Sequence, residues 1–225
     1  MTATPNTIMA LIDDLCGSDE AQRTHAAFAL GVLGDAAVGP LIELLNAPTA
    51  ELRKRAAWVL GVIGAPALPA LIAMAEGPDQ ASRIEAIRVL GVVGEARALN
   101  QLLVGLTDPD ARVAARAARA IGKIGDPRAY HPLLTALRHP SPNVRYEVCR
   151  ALVDLRISEA APTLRLTATT DQTRTSWGAS VAEAALRAAA ELEAAAGAPD
   201  HQAQFARVHD LLRELPPESD QSDQM

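Results

Sequence analysis

Apolar residues recur along this chain in a fixed pattern. Leu30-Gly31-Val32-Leu33-Gly34 returns as Leu60-Gly61-Val62-Ile63-Gly64, Leu90-Gly91-Val92-Val93-Gly94 and Ile121-Gly122-Lys123-Ile124-Gly125. A degraded copy follows at Leu152-Val153-Asp154-Leu155-Arg156. The offsets are 30, 30, 31 and 31 residues. A second column of leucines (Leu11, Leu41, Leu71, Leu102, Leu133) keeps the same period. The first column ends one predicted helix of each unit, helix A, exemplified by residues 50–63. The second lies in a following helix B, at residues 40–45, 68–75, 99–106 and 130–137. A period of this length belongs to repeat arrays in which each unit buries its apolar stripe against its neighbours. The predicted fold is all-α, a right-handed α-solenoid of about five full helix pairs with capping helices at both ends.

Polar positions mark the ends of these helices. Asp19, Thr49, Asp79, Asp110 and Ser141 form a column of N-cap residues, each able to accept a bond from an orphaned backbone N–H. Prolines beside them (Pro48, Pro78, Pro109, Pro140, Pro142) stop the preceding helix. Gly34, Gly64, Gly94 and Gly125 suit a left-handed C-terminal position. Gly31, Gly61, Gly91 and Gly122 lie inside helix A, where each costs about 1 kcal/mol against alanine. Four repetitions of that cost predict close helix approach.

The pattern divides the chain into a single array over residues 1–215, comprising a capping half-repeat at 1–18, five repeats at 19–166 and capping helices at 176–215. The half-repeat carries a helix at 6–15, and the C-terminal cap has helices at 181–195 and 201–215. Residues 167–176 read as a polar link and 216–225 as a disordered acidic tail.

Composition narrows the functional classes. Aromatics are only 3%, which fits alanine- and leucine-rich helices better than a β-sandwich. A net charge of −6 works against binding nucleic acid or anionic lipid. Cys16 and Cys149 form no CxxC motif and suggest neither a zinc site nor a disulfide framework, which fits a cytoplasmic setting. Neither a signal peptide nor a run of transmembrane length is expected.

Residues 53–64, 118–126 and 144–152 carry a family likeness. Arg53-Lys54-Arg55-Ala56-Ala57-Trp58-Val59-Leu60-Gly61 and Val144-Arg145-Tyr146-Glu147-Val148-Cys149-Arg150-Ala151-Leu152 resemble the short HEAT repeats called phycobilisome-lyase-like. The resemblance spans about residues 18–166. It implies an arginine seven residues before the Leu-Gly, here Arg23, Arg53, Arg83 and Arg145, with Ala114 breaking the column. It also implies a loop acid after the second glycine, here Asp35, Glu95 and Asp126. Both columns are expected to bridge successive repeats. The broad family includes bilin lyases, deoxyhypusine hydroxylases, glycosylases acting on DNA, and adaptors. The hydroxylases need His-Glu pairs for their iron site, and none of the five histidines here precedes a glutamate. The glycosylase reading lacks a basic groove flanked by stacking aromatics.

Candidate contact residues lie on the outer face of helix A, two residues before and after the repeated leucine. The first column runs Phe28, Trp58, Arg88, Arg119, Arg150, and the second begins Val32, Val62, Val92. Three arginines at one column predict exposure, which makes Phe28 and Trp58 candidate anchors for a partner or for self-association. Glu85 and Glu147 are spaced to pair with Arg88 and Arg150. A weaker candidate is the helix-B surface with Glu43, Gln101, Tyr130, His131 and Arg138. No catalytic grouping, metal site or cofactor is assigned. The expected function is a non-catalytic protein-interaction scaffold for a protein partner of unknown identity. The alternative, a bilin-lyase-like or tetrapyrrole-chaperone activity, follows from the resemblance alone.

Overall fold

The computed structural model describes residues 4–196. Twelve α-helices and no strand occur among them. They are α1 (Pro5–Cys16), α2 (Glu20–Leu33), α3 (Asp35–Leu44), α4 (Ala50–Ile63), α5 (Leu68–Ala75) and α6 (Gln80–Val93), continuing with α7 (Leu99–Leu106), α8 (Ala111–Ile124), α9 (Tyr130–Ala136), α10 (Pro142–Leu155), α11 (Ala161–Thr170) and α12 (Val181–Ala196). The fold is an α-solenoid of HEAT-like helix pairs. The segments expected at 201–215 and 216–225 lie outside the described residues.

The chain forms two compact units, the first ending at Ile124 and the second beginning at Gly125. In the first, α2, α4, α6 and α8 are the A helices, and α4 contacts both α2 and α6. Leu30, Leu60, Leu90 and Ile121 are fully buried, as are Leu41, Leu71 and Leu102 of helix B. Leu11 holds the same column in α1 but is only half-buried. In the second unit α12 packs against both α10 and α11.

Three of the interior glycines, Gly31, Gly61 and Gly91, do what their repetition predicts. A β-carbon at Gly31 would lie 2.9 Å from Val62 Cγ1, one at Gly61 2.9 Å from Val92 Cγ1, and one at Gly91 2.7 Å from Ala120 Cβ. Each valine is thus a knob seated on the glycine of the preceding repeat. Gly34, Gly64, Gly94 and Gly125 all have positive φ, between 58° and 71°. In the degraded repeat Arg156 takes the same role at φ 56° and ψ 33°, a conformation costly for any residue with a β-carbon.

Asp19, Thr49, Asp79 and Asp110 accept backbone N–H bonds as N-caps. Ser141 does not. Its side chain makes no cap bond, and its own N–H donates to His139 Nδ1 at 3.0 Å. Short 3-10 turns lead into helix B at Ala65–Ala67, Ala96–Ala98, Pro127–Ala129 and Ser158–Ala160. Each ends on a fully buried alanine (Ala67, Ala98, Ala129, Ala160), a column of small residues where the chain packs tightly. The expected link at 167–176 is helical as far as Thr170.

The arginine column clamps the turns. Nη1 of Arg53 donates to the carbonyls of Ala47 and Pro48 at 2.7 and 3.0 Å. Arg83 does the same to Gly77 and Pro78, Arg145 to His139 and Pro140, and Arg23 to Gly17 and Ser18. Bridging to the next repeat also occurs, but through other acids than the loop column. Arg83 Nε reaches Asp108 at 2.9 Å, Arg53 Nε lies 3.7 Å from Glu85, and Arg145 Nε meets Asp171 at 2.6 Å. Asp126 instead holds Arg128 of its own turn at 2.7 Å.

Candidate functional site

The outer face of α2 and α4 is built by two identical steps of the repeat. Phe28 and Trp58 occupy equivalent positions on these helices, and their rings meet edge to face with centroids 6.0 Å apart. Such a pair is favoured by the ring quadrupoles. Both remain open to solvent, Phe28 at 59% and Trp58 at 48% exposure. Val32 and Val62 extend the patch at 87% and 49%. Val62 has Gly31 beneath it, whereas Val32 has no preceding repeat's glycine to sit on. Against the first turns of the two helices lies a hollow of about 480 Å³ lined by Leu15, Ala27, Phe28 and Trp58. Its polar rim includes Glu20, Glu51, Lys54 and Arg55. Arg55 pairs with Glu51 at 3.4 Å and donates to the Leu15 carbonyl at 3.0 Å.

The arginines of the same column behave differently. Arg88 is half-buried and pairs with Glu85 at 2.7 Å, and Arg119, also in the first unit, is half-buried. Arg150, in the second unit, is exposed and lies 3.8 Å from Glu147. The pairings with Glu85 and Glu147 follow the spacing read from the sequence.

The helix-B candidates separate. Glu43, His131 and Arg138 are exposed. Tyr130 is buried instead, at 7% exposure, because it takes the core column of Leu68, Leu99 and Ala161. That column is visible in the sequence at the same period. Burial, with Glu159 nearby, pushes the Tyr130 phenol above its ordinary range. Gln101 is also buried, beside Leu102 on the inward side of α7. Neither belongs to an open surface. Arg138 lines a second hollow, of about 440 Å³, with Leu134, Leu166, Thr163, Thr167 and Thr170 between α9 and α11.

One exposed aromatic was not singled out from the sequence. Trp177 stands 55% exposed on the loop between α11 and α12, edge to face with Tyr146 at 5.6 Å. The loop is tied down. Ser176 N–H donates to Asn143 Oδ1 at 2.8 Å, Asn143 Nδ2 donates to Ser176 Oγ at 3.0 Å, and Ala179 N–H donates to Thr175 Oγ1 at 2.9 Å. Its partners lie 33 residues away in the sequence and belong to no repeating column, so pattern alone gives no signal for it.

Among the described residues no group of three or more His, Cys, Asp or Glu could hold a metal ion. The Cys149 thiol is buried and pushed up to about 12 by loss of hydration, so it is protonated and inert at neutral pH. Cys16 is exposed, and burial of part of its surface with Asp13 nearby raises its thiol too. No single helix among the described residues is long and apolar enough to cross a membrane.

A family model for HEAT repeats matches residues 8–90, 68–139 and 99–187. No curated protein matches the chain. Among solved structures, the complex of CpcE and CpcF of phycocyanin lyase from Nostoc sp. PCC7120 is similar, with a TM-score of 0.57 and 20% identity, over 71% of this chain and 98% of that one. A designed armadillo repeat protein in complex with the peptide (KR)4 aligns at a TM-score of 0.48 and 18% identity, over 82% and 98%. Human deoxyhypusine hydroxylase in complex with glycerol aligns at 0.38 and 20%, over 93% and 97%.

Proposed function

Because the chain belongs to the HEAT-repeat family, we propose that it is a non-catalytic interaction scaffold that holds a protein partner against the outer face of its A helices. The observation that carries this reading is the Phe28–Trp58 pair, two aromatic rings left half in water on successive repeats. Covering either ring would contribute on the order of 2–3 kcal/mol. Tryptophan is a common anchor of protein interfaces. The clamped turns and glycine contacts keep these side chains at fixed spacing, so binding costs little ordering. Within the first unit, Arg88 and Arg119 carry charge at the same helix position in later repeats, suited to an acidic partner surface. Two isolated thiols, one of them inert, support a cytoplasmic setting.

Affinity capture from native lysate tests the reading, with wild type compared to the F28A/W58A double variant. The expected result is a protein held by wild type and lost by the variant. Identical protein sets from both would remove the face from consideration. Visible absorbance of the eluate is read at the same time, since a coloured ligand in both samples would point to a tetrapyrrole instead.

A further inference from the structure

We propose that the Phe28–Trp58 face pairs two copies of this chain about a two-fold axis running along the hollow between α2 and α4. The inference rests on the reading of that face as an interaction surface and names its occupant.

The repeat makes the face self-complementary. Phe28 and Trp58 lie at the same height on helices that run in the same direction, as do Val32 and Val62. An axis parallel to both helices lays the α2 wall of one copy on the α4 wall of the other. Phe28 then meets Trp58, and Val32 meets Val62, twice over. The patch ends after two repeats, where Arg88 takes the aromatic position and is held by Glu85.

The charges of the hollow fit the same operation. Of its rim residues, Glu51 and Arg55 pair with each other, and Arg23 is occupied by the carbonyls of Gly17 and Ser18. Glu20 on α2 and Lys54 on α4 form no ion pair among the described residues. Beside Arg23, whose donors are taken by those carbonyls, one acid and one base thus remain without a partner among the described residues, on opposite walls. The two-fold axis brings Glu20 of each copy to Lys54 of the other. Glu20 precedes Phe28 by eight residues and Lys54 precedes Trp58 by four. The resulting offset of about 6 Å along the helices is within reach of the two side chains. A partner with an unrelated surface has no reason to match both the aromatic step and this pair of charges.

Sedimentation equilibrium of the full chain over a concentration series tests the pairing, with circular dichroism confirming that each variant folds. Wild type is expected to dimerise, and F28A/W58A to weaken the dimer about a hundredfold. E20K or K54E alone should weaken it about tenfold, since each substitution acts at both symmetric contacts. An equimolar mixture of the E20K and K54E proteins should associate as tightly as wild type, because each contact between positions 20 and 54 is again between opposite charges. Wild type that stays monomeric at the highest concentration overturns the pairing, while lysate capture still decides whether the face binds another protein. A dimer indifferent to F28A/W58A overturns the assignment of the face. A mixture no tighter than its components overturns the axis.

Discussion

A methyl group added at Gly91 would sit 2.7 Å from the β-carbon and 3.0 Å from the α-carbon of Ala120, atoms that cannot turn away. At Gly61 the obstacle is the tip of Val92, which can rotate or shift. Both substitutions gain about 1 kcal/mol of helix propensity. G91A should nevertheless destabilise the protein by about 2 kcal/mol, and more than G61A, as read by urea unfolding. The reverse holds at Arg156, an exposed residue in left-handed backbone. R156G should stabilise by about 0.5–1 kcal/mol, because glycine adopts that conformation without strain. At this scale the period made the glycines legible, since a cost repeated at fixed spacing requires a structural cause. It also carried the burial of Tyr130, whose column holds Leu68 and Leu99. Polarity at a single position was the weaker guide there.

The turns before helix A are held by side chains as much as by backbone, and the one before α10 is sensitive to acid. His139 Nδ1 accepts the Ser141 N–H, which requires a neutral imidazole at that nitrogen. Burial, reinforced by the Arg145 charge, pushes its pKa below 6.5. The unfolded chain therefore binds a proton first as pH falls. Stability should drop as pH decreases through 6.5 towards the folded pKa, and level off below it. Urea unfolding across that window should show a steeper loss for wild type than for H139N. Most helix positions and caps were legible at this scale, and α4 and α5 match their predicted bounds, but α3 begins at Asp35, ahead of the expected 40–45, and Ser141 does not cap α10. The clamp partners Asp108 and Asp171 were not, because each lies 25 or 26 residues from its arginine in a turn whose sequence varies. Nor was the loop bearing Trp177, whose order comes from Asn143 on another element.

At the scale of the molecule, the knob-and-glycine contacts make every internal junction of the first three A helices interchangeable. Excising residues 61–90 would join Leu60 to Gly91 within a single helix A. Val92 would then inherit the place of Val62 over Gly31, and Gly91 would keep its own contact with Ala120. Arg53 would stand where Arg83 stood, with Asp108 in reach. The shortened protein should fold, with helicity and cooperative unfolding preserved by circular dichroism but a smaller unfolding m-value. Length in this protein is therefore a heritable variable in its own right. Whole units can be lost or duplicated in one genetic event, and the length of the outer face can change without any other residue having to adapt.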